Sequence, residues 1–316
     1  MDAIHRAAEA CWKQDAHSYG PPELSSCSTL ASIGSCRRHS RHSTPLDLSR
    51  CANLVPAGTG SESLRAAMLD AAPHSKLITH DHSLRAEHVR NLTGGNMVRC
   101  FVISLRDPAD RLSSGFRWEG NMPAFVWWSR TLVDPGLGDT QRSAGRFVDA
   151  LRDSAHDDHA YASAQYDHSA LRTLMSRPTG SHAALVQPPG SGSLFLVSQL
   201  DHLRGIDCGR GDVLRVVCTE RFAESWADIR ADDTSGSTAR RSPLHLNERT
   251  GTDNASIAKW GLPVSLLRTG VMSPEALLRK SWLTAQQRSY VREELYPWDT
   301  ALHALWCGGA GGPDAR

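Results

Sequence analysis

Residues 97–116 read MVRCFVISLRDPADRLSSGF, and this stretch joins a strongly apolar run to an amphipathic one. The run MVRCFVISL (97–105) is apolar enough to predict a strand that is buried on both faces. Pro108 then falls at a first-turn position, which predicts a helix over 108–118. The stretch therefore predicts one strand–helix unit of a parallel sheet.

The same alternation extends to both sides of this unit. The apolar runs predict strands at 50–55, 76–81, 97–105, 194–200 and 213–220. The helical patterns lie at 62–72, 83–92, 108–118, 144–155, 169–176 and 221–230, with two more over 273–306 that are split near Leu283–Thr284. Alternating strands and helices are typical of a parallel sheet with helices on both sides, so we expect an α/β fold.

The composition excludes several classes of protein. Among 316 residues, 35 Lys and Arg balance 34 Asp and Glu, whereas dedicated nucleic-acid binders show a basic excess. No run of about 18 apolar residues predicts a membrane-spanning helix. The N-terminus lacks the apolar segment of a signal peptide, so we expect a soluble, cytoplasmic protein. Nothing in the sequence indicates an oligomeric state.

The N-terminal 48 residues differ from the rest of the chain. They are rich in Ser, His, Arg and Pro, with SSCSTLASIGSCRRHSRHSTP (25–45) at the centre. Because they offer little to bury, we expect a poorly ordered arm over 1–48, with a cationic contact surface as the alternative. One domain is expected over 49–310.

Eight cysteines are spread along the chain without a CxxC pair, so a zinc ribbon is not supported. Cys100 and Cys218 lie in apolar strand-like runs and are interpreted as small core residues. Disulfides are compatible with an oxidising compartment, but the spacing does not require them.

A glycine-rich loop follows the first predicted strand, in NLVPAGTGSESLRAAM (53–68). Gly58 and Gly60 permit backbone angles and a close approach that side chains would block. The N–H groups of residues 60–63 open the next helix, and a helix N-terminus suits a phosphate. Thr59, Ser61 and Ser63 add hydroxyl donors.

Three interpretations of this loop compete. The lysine of a triphosphatase loop (GxxxxGK[ST]) is absent, so a nucleotide triphosphatase is disfavoured. A dinucleotide fingerprint is one glycine short, although Asp81 ends the next predicted strand near the position of a ribose-binding acid. An ordinary capped helix start, with Ser61 at the cap and Glu62 in the first turn, is the plainest interpretation.

A second motif follows the third predicted strand, where ligands of open sheets bind. Arg106 leaves this buried strand, and Ser114 lies eight residues later in the following helix. A guanidinium and a hydroxyl at this edge would hold a second phosphate through charge-assisted hydrogen bonds. The alternative is a solvated cluster in which Arg106 pairs with Asp107 or Asp110.

With both motifs, the sequence resembles sulfotransferases that use 3′-phosphoadenosine 5′-phosphosulfate (PAPS), especially the Golgi-type carbohydrate and uronyl families. These carry an R-[DN]-P-x-x-R-x-x-S segment, which RDPADRLSS (106–114) matches. Further similarity lies in LFLVSQLDHL (194–203), VLRVVCTERFAESW (213–226) and the closing LTAQQRSYVREELYPWDTALHALW (283–306).

The resemblance implies a fold, a reaction and a set of cofactor-binding residues. It implies a P-loop-like three-layer sandwich with a central parallel sheet, PAPS as sulfuryl donor, PAP as product, and a small-molecule or glycan hydroxyl as acceptor. A Golgi-lumen location would follow if an N-terminal membrane anchor is missing. The cofactor-binding residues that it implies are Gly58, Thr59, Gly60, Ser61, Glu62, Ser63 and Leu64 for the 5′-phosphosulfate, and Arg106, Ser114 and Arg249 for the 3′-phosphate.

The acceptor hydroxyl needs a base, and ITHDHSLRAEH (78–88) offers histidines close to the first loop. The uronyl-type families have an HxH at this place, so the resemblance implies His82 as the base and His80 next. A carbonyl-bonded histidine is the structural alternative, and a metal site at His80, His82 and His88 is a weaker one.

The resemblance also implies a loop lysine or arginine that this chain lacks. The matching position is Ala57 or Gly58. The candidate replacements are Arg65, Arg85, Arg117 and Lys76. Without a replacement we expect a PAPS-binding protein with weak catalysis, and an NAD(P)-binding oxidoreductase is the alternative from another class.

Overall fold

The structure, a computed structural model, describes residues 26–40, 46–79, 81–82, 84–92, 98–121, 143–153, 197–234 and 281–308. The described chain forms two compact units. The first contains the described residues up to 107, those from 198 to 234 and those from 298 onward. The second contains the described residues between 108 and 197 and those from 281 to 297.

Three parallel strands form the sheet of the first unit. They are β1 (Cys51–Leu54), β2 (Cys100–Leu105) and β3 (Val213–Cys218), in the order β1-β2-β3. The predicted strands at 50–55, 97–105 and 213–220 are confirmed, and so is the α/β class. All three strands end at the same edge of the sheet, which is where open parallel sheets bind ligands.

Eight helices are described with both ends. They are α1 (Ser26–Ser40), α2 (Ser61–Ala71), α3 (Ala86–Leu92), α4 (Pro108–Asn121), α5 (Ala144–Asp153), α6 (Phe222–Ala231), α7 (Ala285–Tyr290) and α8 (Pro297–Cys307). Short 3₁₀ turns lie at Leu48–Arg50, Gln199–Leu203, Cys208–Arg210 and Thr219–Arg221. Within the described ranges, no helix has the length and apolarity that a membrane crossing demands.

Helices cover both faces of the sheet in the first unit. Alternate residues of a strand point to opposite faces, and β2 follows this rule. Phe101 and Ile103 pack in one apolar cluster with residues of α1, α3 and α8. Val102 packs in a second cluster with residues of α2 and α6.

The second unit is helical in its described part. Its core joins α4, α5 and the segment Val291–Leu295, a π-helical turn that follows α7. The rings of Phe116 and Phe147 lie 5.6 Å apart within this core. Thr284 caps α7 through a capping box with Gln287, which confirms the predicted break near Leu283–Thr284.

Two predicted strands are wrong where the structure describes them. Residues 76–79 form turns and extended chain outside the sheet, and the Asn53 side chain takes the place of strand pairing. Its Nδ2 donates to the Thr79 carbonyl at 2.8 Å, and its Oδ1 accepts from the Thr79 N–H at 2.6 Å. Residues 199–203 form a 3₁₀ turn, because the Ser198 hydroxyl and the Asp299 carboxylate take the Leu200 N–H. The predictions at 169–176 and 187–193 lie outside the described residues.

Part of the expected N-terminal arm is a packed helix. Leu30, Ile33 and Cys36 of α1 are buried in the cluster beside the sheet, although their surroundings in the sequence are polar. Cys36 is bonded to Cys208, which supplies a covalent link where apolar area is small. Residues 1–25 and 41–45 lie outside the described residues.

Two more disulfides join elements of the first unit. Cys51 and Cys100 connect register partners of β1 and β2, and Cys218 and Cys307 connect the end of β3 to α8. The interpretation of Cys100 and Cys218 as simple core residues is therefore wrong. Their partners are 49 and 89 residues distant in the sequence, so spacing alone could not reveal them.

Candidate functional site

The glycine loop turns directly from the end of β1 into α2. Gly58 and Gly60 have φ angles of 80° and 73°, in the left-handed region that favours glycine. Gly60, and not Ser61, is the N-cap of α2, and no side chain caps this end there. The plain interpretation of a Ser61-capped helix is therefore wrong. The α2 N-terminus opens at the sheet edge and suits an anion.

Buried hydroxyls fix the shape of this loop. The Thr59 hydroxyl donates to the Pro56 carbonyl at 2.7 Å and lies 2.8 Å from the Ser104 hydroxyl of β2. The Thr219 hydroxyl lies 2.8 Å from the carbonyls of Thr59 and Leu105. Residues after all three strands are thus joined, and the Thr59 hydroxyl holds the loop where we had expected a donor for phosphate.

The first turn of α2 contributes mainly its backbone to the loop. Ser61 and Ser63 are buried, and Glu62 is half-buried. The Leu64 side chain packs in the core beside α6, so only its peptide group faces the loop side of the helix. The Leu64 N–H donates to the Gly60 carbonyl at 3.0 Å, which closes the first helical turn.

Arg106 reaches the glycine loop from the end of β2. Its side chain is half-buried, and its Nη1 lies 3.3 Å from the Gly58 carbonyl oxygen, to which it donates. Arg106 is therefore a cation beside Gly58, where the sequence lacks a lysine. The expected meeting of the two motifs at one sheet edge is seen at this contact.

The other candidate replacements for the lysine stand differently. Arg85 forms an ion pair with Asp201 at 2.8 Å, and Lys76 is exposed in a turn. Arg65, one turn along α2, is half-buried, and its Nε makes no hydrogen bond. The Arg117 side chain lies outside the described part of the chain.

Glu220 forms an acidic contact at the end of β3. Its Oε1 accepts the Asp107 N–H at 2.8 Å, and its Oε2 lies 3.3 Å from Nε2 of His303 on α8. Partial burial raises the pKa of Glu220, but the hydrogen bonds from His303 and from Asp107 outweigh it and bring the pKa to about 2. The carboxylate is thus ionised and holds the turn that follows Arg106.

His82 lies against the start of the glycine loop. Its Nδ1 lies 2.6 Å from the Val55 carbonyl oxygen, and a carbonyl can only accept, so Nδ1 carries the proton. In the neutral ring Nε2 then carries the lone pair, which is the tautomer that a base needs. The carbonyl-bonded alternative and the catalytic interpretation are thus compatible at His82. His80 lies outside the described residues.

The remaining predicted site residues are distributed as follows. Ser114 is a half-buried residue of α4 in the second unit, and Arg111 of the same motif is buried there. Arg249 lies outside the described residues. Asp81 is exposed and follows a segment that is not a strand, which removes the strand end on which the dinucleotide alternative depended. In the described chain, no group of three or more His, Cys, Asp and Glu could hold a metal ion.

Four polar residues around Arg106 and the loop were missed from the sequence as members of this site. They are Gln199, Thr219, Glu220 and Asp299. Their partners lie about a hundred residues distant in the chain, so no local pattern points to them. The one available signal is Asp299, an acid that interrupts an otherwise apolar helix face and is buried.

Comparison with known proteins adds nothing to this geometry. No protein-family model, no curated protein and no solved structure matches the chain.

Proposed function

We propose that this protein is a PAPS-dependent sulfotransferase that transfers a sulfuryl group to a hydroxyl, on a carbohydrate or another small-molecule acceptor. The observation that carries the proposal is the Arg106–Gly58 contact, because it brings the arginine of the second motif to the glycine loop of the first. The finer fold expectation, a P-loop-like three-layer sandwich, belongs to this proposal. So do Golgi-lumen residence and the acceptor class.

The residues present fit a phosphorylated donor. Gly58 and Gly60 keep the loop free of side chains, and the α2 N-terminus has no side-chain cap at Gly60. The N–H groups of residues 60–63 would hold the 5′-phosphosulfate, and Arg106 would hold a phosphate by charge-assisted hydrogen bonds. Ser114 and Arg249 are assigned to the 3′-phosphate by the sequence motif alone.

PAPS, when bound, would supply the sulfuryl group and a phosphate leaving group. In our proposal His82 Nε2 takes the proton of the acceptor hydroxyl while its Nδ1–H stays bonded to the Val55 carbonyl. The acceptor oxygen forms the new bond to sulfur, and the bond between sulfur and the phosphate oxygen breaks. The loop N–H groups and Arg106 stabilise the charge that develops on the phosphate, and His82 later releases its proton to solvent.

Ligand binding provides the first test. We expect PAP to raise the melting temperature of the protein, whereas NAD should not. Arg106→Ala should weaken PAP binding because it removes the cation beside Gly58. Arg50→Ala is the matched control, since Arg50 is exposed and precedes β1 at the opposite edge of the sheet. A melting shift with NAD and none with PAP would reject the sulfotransferase in favour of an oxidoreductase.

Turnover provides the second test. Sulfate transfer from PAPS should be measured over a panel of sugars, phenols and tyrosine peptides. His82→Asn retains a donor for the Val55 carbonyl but lacks the base, so we expect a loss of about 10²–10⁴-fold in turnover with PAP affinity unchanged. His88→Asn, an exposed histidine, is the control. Unchanged turnover in His82→Asn would eliminate its role as base.

A weakly catalytic PAPS-binding protein is the second candidate function, because Ala57 is an apolar, buried residue in the loop. Tight PAP binding without sulfate transfer to any member of the panel would favour this candidate over the enzyme.

A further inference from the structure

One buried amide bonds both backbone groups of Arg106. The Arg106 N–H donates to Oε1 of Gln199 at 2.9 Å, and Nε2 of Gln199 donates to the Arg106 carbonyl at 2.9 Å. The Gln199 side chain is fully buried. Because β2 ends at Leu105, the Gln199 amide does for Arg106 what the peptide of a neighbouring strand would do.

A buried carboxylate fixes Gln199 in turn. Asp299 of α8 is 1% exposed, and its oxygens accept hydrogen bonds from the Ser198 hydroxyl and from the backbone N–H groups of Gln199 and Leu200. The Gln199 Nε2 also lies 3.4 Å from Asp299 Oδ2. A buried carboxylate with several donors is satisfied, so it holds both the backbone and the side chain of Gln199 in one arrangement.

We propose that Gln199, oriented by Asp299, is a positioning residue that sets the backbone of Arg106 so that its guanidinium is directed at the glycine loop. An arginine side chain loses considerable conformational freedom when it is held against a ligand. A backbone fixed on both sides at Arg106 leaves only the side chain to be ordered. Support of this kind around a binding group improves affinity by lowering that cost.

The inference rests on the proposed function, because it gives Arg106 a phosphate to bind. It goes further by assigning two residues outside both sequence motifs. A merely structural role for Gln199 would predict a loss of stability alone, whereas a positioning role predicts a loss of PAP affinity that depends on Arg106.

A double-mutant cycle tests this dependence. PAP dissociation constants should be measured by calorimetry for the wild type, Gln199→Leu, Arg106→Ala and the double variant. We expect Gln199→Leu to weaken PAP about tenfold with Arg106 present and by less than about twofold in the Arg106→Ala background, as for residues within one hydrogen-bond network. A stability loss equal in both backgrounds is expected and does not replace this readout.

Two further variants keep the test decisive if Gln199→Leu fails to fold. Asp299→Asn keeps the shape of the carboxylate but gives up one acceptor oxygen, and we expect a smaller loss of affinity that also vanishes without Arg106. Gln287→Leu is the matched control, because Gln287 is a buried glutamine of the second unit with bonds to the Gly145 carbonyl and to Asp149. It should lower stability and leave PAP affinity unchanged.

The outcomes separate the two proposals. Equal losses of PAP affinity in the two backgrounds, or no loss in Gln199→Leu and Asp299→Asn, would overturn the positioning role while the sulfotransferase proposal stands. A wild-type protein that does not bind PAP, or an Arg106→Ala variant with wild-type affinity, would reject the proposed function and the inference together.

Discussion

The two units of the molecule are stabilised in different ways. The first has a parallel sheet, three disulfides, and buried side chains that bond to backbone groups, such as Asn53 and Gln199. The described part of the second has helices around an apolar core and contains no disulfide. The comparison teaches that covalent and polar links are concentrated in the unit whose loops form the candidate site.

The largest expected effect concerns the apolar core of the second unit. Phe147→Ala removes a fully buried ring that lies beside Phe116, so we expect about 3–5 kcal/mol of lost stability. Amide hydrogen exchange should show the loss at α4, α5 and α7. Trp282→Ala is the control in the same unit, because Trp282 is 69% exposed and should cost less than about 0.5 kcal/mol. Equal loss of protection in β1–β3 would break the comparison.

The next effect concerns the link between α1 and the 3₁₀ turn at Cys208. Replacing Cys36 and Cys208 together by alanine should cost about 2–4 kcal/mol, because α1 buries few apolar residues without this bond. We expect faster amide exchange in α1 and β3. Unchanged exchange there, or equally faster exchange in α5, would contradict the assignment of this disulfide to the first unit.

A smaller effect is expected at Asn53, which is 1% exposed and bonds both backbone groups of Thr79. Asn53→Ala should cost about 1–3 kcal/mol, since buried backbone groups lose their partners. Exchange should rise over residues 76–82, the segment that leads to His82. Asn53→Asp keeps the acceptor for the Thr79 N–H, so its loss should be intermediate. A silent Asn53→Ala would mean that the amide does not hold this segment.

The smallest effect is the pH dependence of Glu220. Its pKa falls from 4.5 to about 2 in the folded protein, so its contribution is present above pH 4.5 and is lost as the pH falls toward 2. Because the side chain is 36% exposed, solvent screening limits this contribution to about 1 kcal/mol or less. Urea midpoints of wild type and Glu220→Gln should therefore differ at pH 7 and converge near pH 2. The exposed Glu224→Gln is the control, and a difference that grows on acidification would have the wrong sign.

The sequence predicted the elements whose signals are local. Strands β1, β2 and β3 follow from runs of consecutive apolar residues, and Thr284 follows from its place before a helical pattern. The runs at 76–81 and 194–200 gave the same kind of signal, yet residues 76–79 and 197–200 are not strands. At both places a polar side chain from elsewhere in the chain, Asn53 or Asp299, bonds the backbone groups that a strand would pair.

The candidate site was predictable only in part for the same reason. The glycines and Arg106 stand in short motifs, so their place at one sheet edge followed from the strand order. The disulfide partners and the bonds from Gln199 and Asp299 join positions that only the folded chain brings together. The tautomer of His82 depended on the position of the Val55 carbonyl, which no motif encodes.

The Cys218–Cys307 bond has a consequence for how the protein is made. A ribosome releases residue 307 long after residues 51–105, so β1 and β2 leave the tunnel well before the helix that supplies Asp299 and the last half-cystine. During synthesis, the thiol of Cys218 must therefore wait for its partner among three cysteines that precede it and are already able to react, Cys36, Cys51 and Cys100. Chains halted shortly before residue 307 should accumulate mispaired isomers, which non-reducing electrophoresis of the nascent protein would resolve.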